Sequence, residues 1–146
     1  MNTPDEITTL RATPMTIPTL ETRNTRGTIL IVEDDRAIRR YLEVILQRAG
    51  YCVVVAADGL EAMKAALTSS IDAVVTDAIM PHLNGYELCR FLRHHPKLSR
   101  MPVVLLSGFE PSDDAQQADH PDVYLSKPVR PEELTGCLAR LLLKAA

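Results

Sequence analysis

The chain lacks any apolar run near the ~18–20 residues that a membrane-spanning helix needs. Its N-terminus has neither the basic start nor the apolar stretch of a secretory signal. Both absences lead us to expect a cytoplasmic protein with no membrane contact. Cysteines are few: Cys52, Cys89 and Cys137 are far apart and show no CxxC spacing. They read as small core hydrophobes of a reducing compartment, which excludes a disulfide framework or a cysteine metal site. The four histidines are equally unpatterned, with His94-His95 expected at a helix end. A basic excess is missing too. The net charge is −3 and the pI about 5.8, so no nucleic-acid footprint covers the whole surface. There is no internal repeat and no sign of a second domain. What is present is a chain of 146 residues, 46% apolar, which suits one compact domain with a real core.

Residues 1–26 are rich in Thr and contain Pro4, Pro14 and Pro18, with charges that cancel. This composition predicts a disordered N-terminal tail, and residues 27–146 form the expected domain. Order begins at Thr28-Ile29-Leu30-Ile31-Val32, an unbroken apolar run typical of a strand covered on both faces. It ends in Glu33-Asp34-Asp35. A helical pattern follows, with Ile38, Tyr41, Leu42, Ile45, Leu46 and Ala49 on one face, Asp35 as its cap and Gly50 as its stop. The next strands are Tyr51 to Ala56, Asp72 to Thr76 ending at Asp77, Pro102 to Leu106 ending at Ser107-Gly108, and Val123 to Leu125 before Ser126-Lys127-Pro128. Between them lie a short helix opened by Asp58-Gly59 and carrying Leu60, Met63, Ala66 and Leu67, and a helix from about Gly85 to His94 with Leu88, Phe91 and Leu92 inward. A last helix follows Pro131, with Leu134, Cys137, Leu138, Leu141 and Leu142. The segment Glu110 to Asp119 has four acids, no base and two alanines as its core candidates. A helix polar all round is marginal in water, so this fourth helix is expected to be short or irregular. Strands alternating with helices predict an α/β fold, a doubly wound five-stranded parallel sheet with helices on both faces.

In such a sheet all strand C-ends share one edge, and ligands bind there. That edge receives Glu33, Asp34 and Asp35 after the first strand, Asp77 after the third, Ser107 after the fourth and Lys127 after the fifth. Clustered carboxylates repel and call for a cation. A hard divalent ion with oxygen ligands, Mg²⁺ above all, suits one or two carboxylates plus water and phosphate oxygens. One carboxylate left partly free can attack phosphorus and form an acyl phosphate. Lys127 brings a mobile positive charge and Ser107 a hydroxyl donor for phosphate oxygens. Each residue alone has an ordinary explanation as a cap, a turn or a surface charge. Their convergence on one edge is what points to phosphoryl transfer.

With these stretches in hand, the chain resembles the receiver domain of bacterial two-component response regulators, including the single-domain, chemotaxis-regulator-like kind. The resemblance is carried by Ile29 to Asp35, by Asp77-Ala78-Ile79-Met80-Pro81 with Gly85 eight residues beyond Asp77, by Leu105-Leu106-Ser107-Gly108, and by Tyr124-Leu125-Ser126-Lys127-Pro128. It implies a flavodoxin-like strand order 2-1-3-4-5. It implies Asp77 as phosphoacceptor and Mg²⁺ held by Glu33 and Asp34 with Asp77 and the backbone carbonyl of Ile79, Asp34 being the more direct ligand of the pair. It further implies Ser107 and Tyr124 as the switch pair, Lys127 as the phosphate-binding lysine, and a cis bond between Lys127 and Pro128. Asp35 stands outside the matched pair and reads as a helix cap.

Three departures from the family pattern stand out. Ile79 and Phe109 are apolar where the family is often polar, Gly108 replaces a usual alanine, and the segment between Ser107 and Lys127 is short and poor in apolar residues. The expected function is that of a single-domain response regulator that takes a phosphoryl group on Asp77 from a sensor histidine kinase or a histidine phosphotransfer protein. It then changes its contacts with an unknown downstream protein, either alone or as a homodimer. No DNA-binding module follows residue 146, so direct DNA binding is not expected, and any catalysis would be limited to slow self-phosphorylation and dephosphorylation. Two other readings are weighed. One is a phosphorylation-independent interaction module with the same fold. The other is a phosphatase of the haloacid dehalogenase type, disfavoured because its nucleophile follows the first strand.

Overall fold

The computed structural model describes residues 26–108 and 119–145. Five strands form a single parallel sheet: β1 (Thr28–Val32), β2 (Cys52–Ala56), β3 (Ala73–Asp77), β4 (Val103–Ser107) and β5 (Val123–Ser126). Four helices lie among the described residues: α1 (Arg36–Arg48), α2 (Gly59–Thr68), α3 (Gly85–His94) and α4 (Pro131–Ala145). The strand order is β2-β1-β3-β4-β5, as the family resemblance implies. The expected polar fourth helix, Glu110 to Asp119, lies outside the described residues except for Asp119, and so does the expected tail, residues 1–26, except for Arg26, whose N–H donates to the Gly50 carbonyl at 2.9 Å.

The continuous apolar runs occupy the centre of the sheet. Every residue of β3 and β4 is buried, and so is β1 from Ile29 onward. Alternate side chains feed two cores. Ile29, Ile31, Val75, Val104 and Leu106 pack under α1 and α4, against Leu42, Leu46, Leu134 and Leu138. Leu30, Val32, Val74 and Val103 pack under α2 and α3, against Ala62, Ala66, Leu88 and Leu92. Each large side chain buried in this way contributes roughly 1.5–3 kcal/mol.

The helix starts follow the capping rules. Asp35 accepts from the Ile38 N–H at 3.0 Å and Asp58 from the Glu61 N–H at 2.8 Å. Asn84 and Glu87 form a reciprocal capping box, both bonds 2.9 Å.

Three expectations about faces need correction. Tyr41 is 47% exposed; its hydroxyl leaves the core to donate to the Val129 carbonyl at 3.3 Å. Leu60 and Leu67 are 59% and 52% exposed. Helix α2 packs into the core through Ala62 and Ala66, with Gly59 against Leu83, and Leu60 lies about 200° around the helix from Ala62. Cys52 is exposed rather than a core residue, because β2 is an edge strand, while Cys89 and Cys137 are buried.

The register sets the functional edge. Val32 is level with Thr76, so Glu33 is level with Asp77; Asp77 pairs with Leu106, and Ser107 pairs with Ser126 just before Lys127. The chain after β3 turns back tightly, and the Gly85 N–H donates to the Ala78 carbonyl at 2.9 Å. A Cβ at Gly85 would collide with the Asp77 carbonyl oxygen and lie 2.8 Å from Leu105 Cδ1. Gly85→Ala is therefore expected to destabilise the domain by about 2 kcal/mol, read as a lower urea midpoint. In the same turn the Leu83 N–H donates to the Pro81 carbonyl at 2.8 Å across His82, whose φ is 68°. A three-residue turn of that hand is strained for a side chain with a Cβ. His82→Gly is expected to raise stability by about 1 kcal/mol in the same assay.

Candidate functional site

The sheet edge gathers a buried acid, a strand-end acid, an exposed acid and one lysine. Glu33 is 1% exposed and Asp77 6%, whereas Asp34 faces solvent. One oxygen from each of Glu33, Asp34 and Asp77 falls within 4.8 Å of the others. The Lys127 ammonium donates to Asp77 Oδ1 at 2.8 Å and stands 3.6 Å from Glu33 Oε1. The bond from Lys127 to Pro128 is cis, as the resemblance implies.

Glu33 is the unusual member. Its Oε2 accepts from the Asp35 N–H at 3.2 Å. Its Oε1 is buried with no hydrogen-bond partner among the described residues, because 3.6 Å to Lys127 is an ion-pair distance and too long for a hydrogen bond. Burial pushes the Glu33 pKa up; the Asp35 N–H opposes this, and the neighbouring Asp77 and Asp34 charges add to it. For Lys127, burial works against the charge, but the hydrogen bond and charge of Asp77, with Glu33 behind them, outweigh it and raise the pKa. An orphaned buried carboxylate oxygen beside two further acids is a hard-oxygen donor set, and it fits a divalent cation such as Mg²⁺.

The linkage has a definite sign. A carboxyl whose folded pKa is raised favours folding below its unfolded pKa and loses that favour as pH rises through the folded value. In metal-free protein, Glu33→Gln is therefore expected to raise the melting temperature near neutral pH, and the gain is expected to vanish below about pH 4. Thermal melts across this range check it.

Of the other candidate residues, Ser107 is 7% exposed at the end of β4, one residue beyond the partner of Asp77. Tyr124 lies on β5 opposite Leu105. By strand alternation Tyr124 shares a sheet face with Ser107 and Leu105, the face of α3. Its phenol pKa is raised, first by burial and then by Tyr86 and Cys89 of that helix. Ile79, two residues past Asp77, is 63% exposed at the rim. Phe109 lies outside the described residues. Asp35 is a helix cap, as expected. One contact was not foreseen: Arg39 Nη1 donates to the Glu33 carbonyl at 2.8 Å. Nothing in the sequence separates Arg39 from its neighbours Arg36 and Arg40.

The family model of the response regulator receiver domain matches residues 29–139. The chain belongs to the response regulator receiver family. Receiver domains are signalling switches of two-component systems rather than enzymes in the ordinary sense. Among curated relatives, the transcriptional regulatory protein GltR of Pseudomonas aeruginosa is 35% identical over 121 residues, covering 80% of this chain and 49% of that protein. The protein PilG of the same organism is 30% identical over 112 residues, covering 75% and 83%. The chain thus spans about half the length of the transcriptional regulators it matches first, 49% and 45%. Among solved structures, the chemotaxis response regulator CheY4 of Vibrio cholerae superposes with a TM-score of 0.74 at 31% identity, over 80% of this chain and 99% of that one. The receiver domain of the sensor histidine kinase PA1611 of Pseudomonas aeruginosa superposes with a TM-score of 0.73 at 30% identity, over 80% and 97%, and has a magnesium ion coordinated in its active-site cleft. Among the described residues no helix is long and apolar enough to cross a membrane.

Proposed function

We propose that this receiver accepts a phosphoryl group on Asp77 from a histidine kinase or a histidine phosphotransfer protein and uses it to change its contacts with a downstream protein. The observation that carries the reading is the single cluster of Asp77, Glu33, Asp34 and Lys127, in which Lys127 lies 2.8 Å from the acceptor.

Glu33 and Asp34 would hold Mg²⁺ together with Asp77 and the Ile79 carbonyl. A bound Mg²⁺ supplies charge neutralisation for the entering phosphoryl oxygens. An Asp77 carboxylate oxygen attacks phosphorus, and the bond from phosphorus to the donor's imidazole nitrogen breaks, or with acetyl phosphate the bond to the acetate oxygen. The leaving group departs with that electron pair. Lys127 moves its hydrogen bond from Asp77 to the phosphoryl group and offsets the added negative charge. Ser107, next to the acceptor's strand partner, gives its hydroxyl to another phosphoryl oxygen. The space it leaves on the α3 face draws Tyr124 inward, which shifts a two-state surface equilibrium. Exposed Ile79 shields the acyl phosphate from water on one side.

The test is intact mass after incubation with acetyl phosphate, with Mg²⁺ or with EDTA. One added phosphoryl group with Mg²⁺ and none with EDTA is the expected result. No addition under either condition, combined with wild-type partner binding, would favour the phosphorylation-independent module instead.

A further inference from the structure

We infer that Arg39 is a positioning residue for the cation site: it holds the peptide that presents Glu33 and Asp34. This inference rests on the metal reading above and extends it to a residue outside the acid cluster.

The argument starts from the sheet. In a strand, the N–H and C=O of one residue point to the same side. The Glu33 N–H points towards β2, where it donates to the Ala56 carbonyl at 3.1 Å. The Glu33 carbonyl must face the same way. But β2 stops at Ala56, whose partner is Val32. The ladder donor that one more round of pairing would bring to this carbonyl is replaced by Arg39 Nη1, 2.8 Å away and part-buried. Arg39 thus adds one bond to β1 beyond the end of its neighbour.

That bond lies in a closed set of restraints. The Arg39 N–H donates to the Asp35 carbonyl at 2.9 Å, Asp35 caps α1 through the Ile38 N–H, and the Asp35 N–H binds Glu33 Oε2. The backbone between Glu33 and Asp35 is therefore pinned from the Glu33 carbonyl, from the Glu33 side chain and from the first turn of α1. Asp34 is exposed and its side chain makes no hydrogen bond or ion pair among the described residues, so the peptide is what sets its direction. Releasing the Glu33 carbonyl frees the peptide that carries Asp34.

The sign of the effect separates positioning from simple charge. Removing a cation near a cation site tightens metal binding if Coulomb's law dominates. Removing a support of the ligands loosens it, commonly by 10–100-fold. The experiment is calorimetric Mg²⁺ titration of the full chain and of Arg39→Ala, Arg39→Lys and Arg40→Ala, with melting temperatures measured with and without Mg²⁺. Arg39→Ala is expected to weaken Mg²⁺ binding about tenfold or more and to shrink the Mg²⁺-induced rise in melting temperature. Arg39→Lys, which keeps a donor and the charge, is expected to recover part of it. Arg40→Ala, whose side chain pairs with Glu43, is expected to bind as the unaltered chain does.

Unchanged or tighter Mg²⁺ binding by Arg39→Ala would overturn the inference. So would an equal fall in melting temperature with and without Mg²⁺, the mark of a purely structural role. If Arg39→Ala does not fold, Arg39→Met takes its place: weaker Mg²⁺ binding than the unaltered chain supports the inference, and binding as tight as the unaltered chain's overturns it. Failure of the unaltered chain itself to bind Mg²⁺ would overturn the metal reading and the inference together; loss of binding in Asp34→Asn with none in Arg39→Ala would leave the metal reading standing and overturn only the inference.

Discussion

Asp77→Asn is expected to lose phosphoryl uptake completely while remaining folded. The two properties separate because they use different features of the side chain. Uptake needs a carboxylate oxygen able to form a stable bond to phosphorus, and a carboxamide oxygen is a far weaker nucleophile at neutral pH. Folding needs only that a group of the same shape fills the end of β3 and accepts from Lys127. An Asn Oδ1 can take the 2.8 Å bond that Asp77 Oδ1 now accepts. The exchange also removes one of three clustered negative charges. A melting temperature within about 3 °C of the unaltered chain is expected, the equivalent of under about 1 kcal/mol. Intact mass after acetyl phosphate treatment, beside a thermal melt of the same sample, reads both properties. Residual uptake in Asp77→Asn would place the acceptor elsewhere.

Lys127→Ala is expected to have the second-largest effect, and here rate and stability fall together. The lysine is the one cation recorded within ion-pair distance of the two buried acids among the described residues. Removing one partner of such a pair leaves uncompensated buried charge and costs about 3–5 kcal/mol when burial is full. Lys127 keeps about a quarter of its side chain exposed (26%), so roughly 2–3 kcal/mol is the better expectation. Added Mg²⁺ should restore part of it, because a bound cation substitutes for the lost charge. The phosphoryl-transfer rate should fall about 10²–10³-fold, the scale of losing one preorganised electrostatic contact. A urea melt with and without Mg²⁺ and a time course of uptake check the two parts. A variant as stable as the unaltered chain in EDTA would show that the acids are neutralised some other way.

The strands were legible because each is an unbroken apolar run ended by a polar residue. Val74-Val75-Thr76-Asp77 needs no neighbour to show where it stops. The edge constellation was legible for the same reason: parallel strands align their ends, so polar residues following different apolar runs converge. The cap at Asp35 is a local signal, and so is the helix opening at Asp58-Gly59. The contacting faces were harder. In α2 the leucines look like the core residues, yet the small residues Ala62 and Ala66 are the buried ones that pack into the core. Size alone does not say which face a helix turns inward when the approach is close. Cys52 reads as a core residue from its type alone, although the strand order that the resemblance implies already puts β2 at the sheet edge, where one side of the strand has no neighbour. Arg39 was missed for a deeper reason. Its role depends on β2 ending level with Val32, which leaves the next carbonyl, that of Glu33, without a strand partner, a relation between two strands that neither strand's sequence contains.

The most direct test of the account is to locate the phosphoryl group itself. An acyl phosphate is reduced by borohydride to the alcohol, which converts a phosphorylated aspartate to homoserine. The chain would be treated with acetyl phosphate and Mg²⁺, reduced, digested and sequenced by mass spectrometry. The account predicts homoserine at position 77 only, and none when Mg²⁺ is chelated. Homoserine at position 34 or 35, or phosphoryl uptake that leaves position 77 as aspartate, would contradict it.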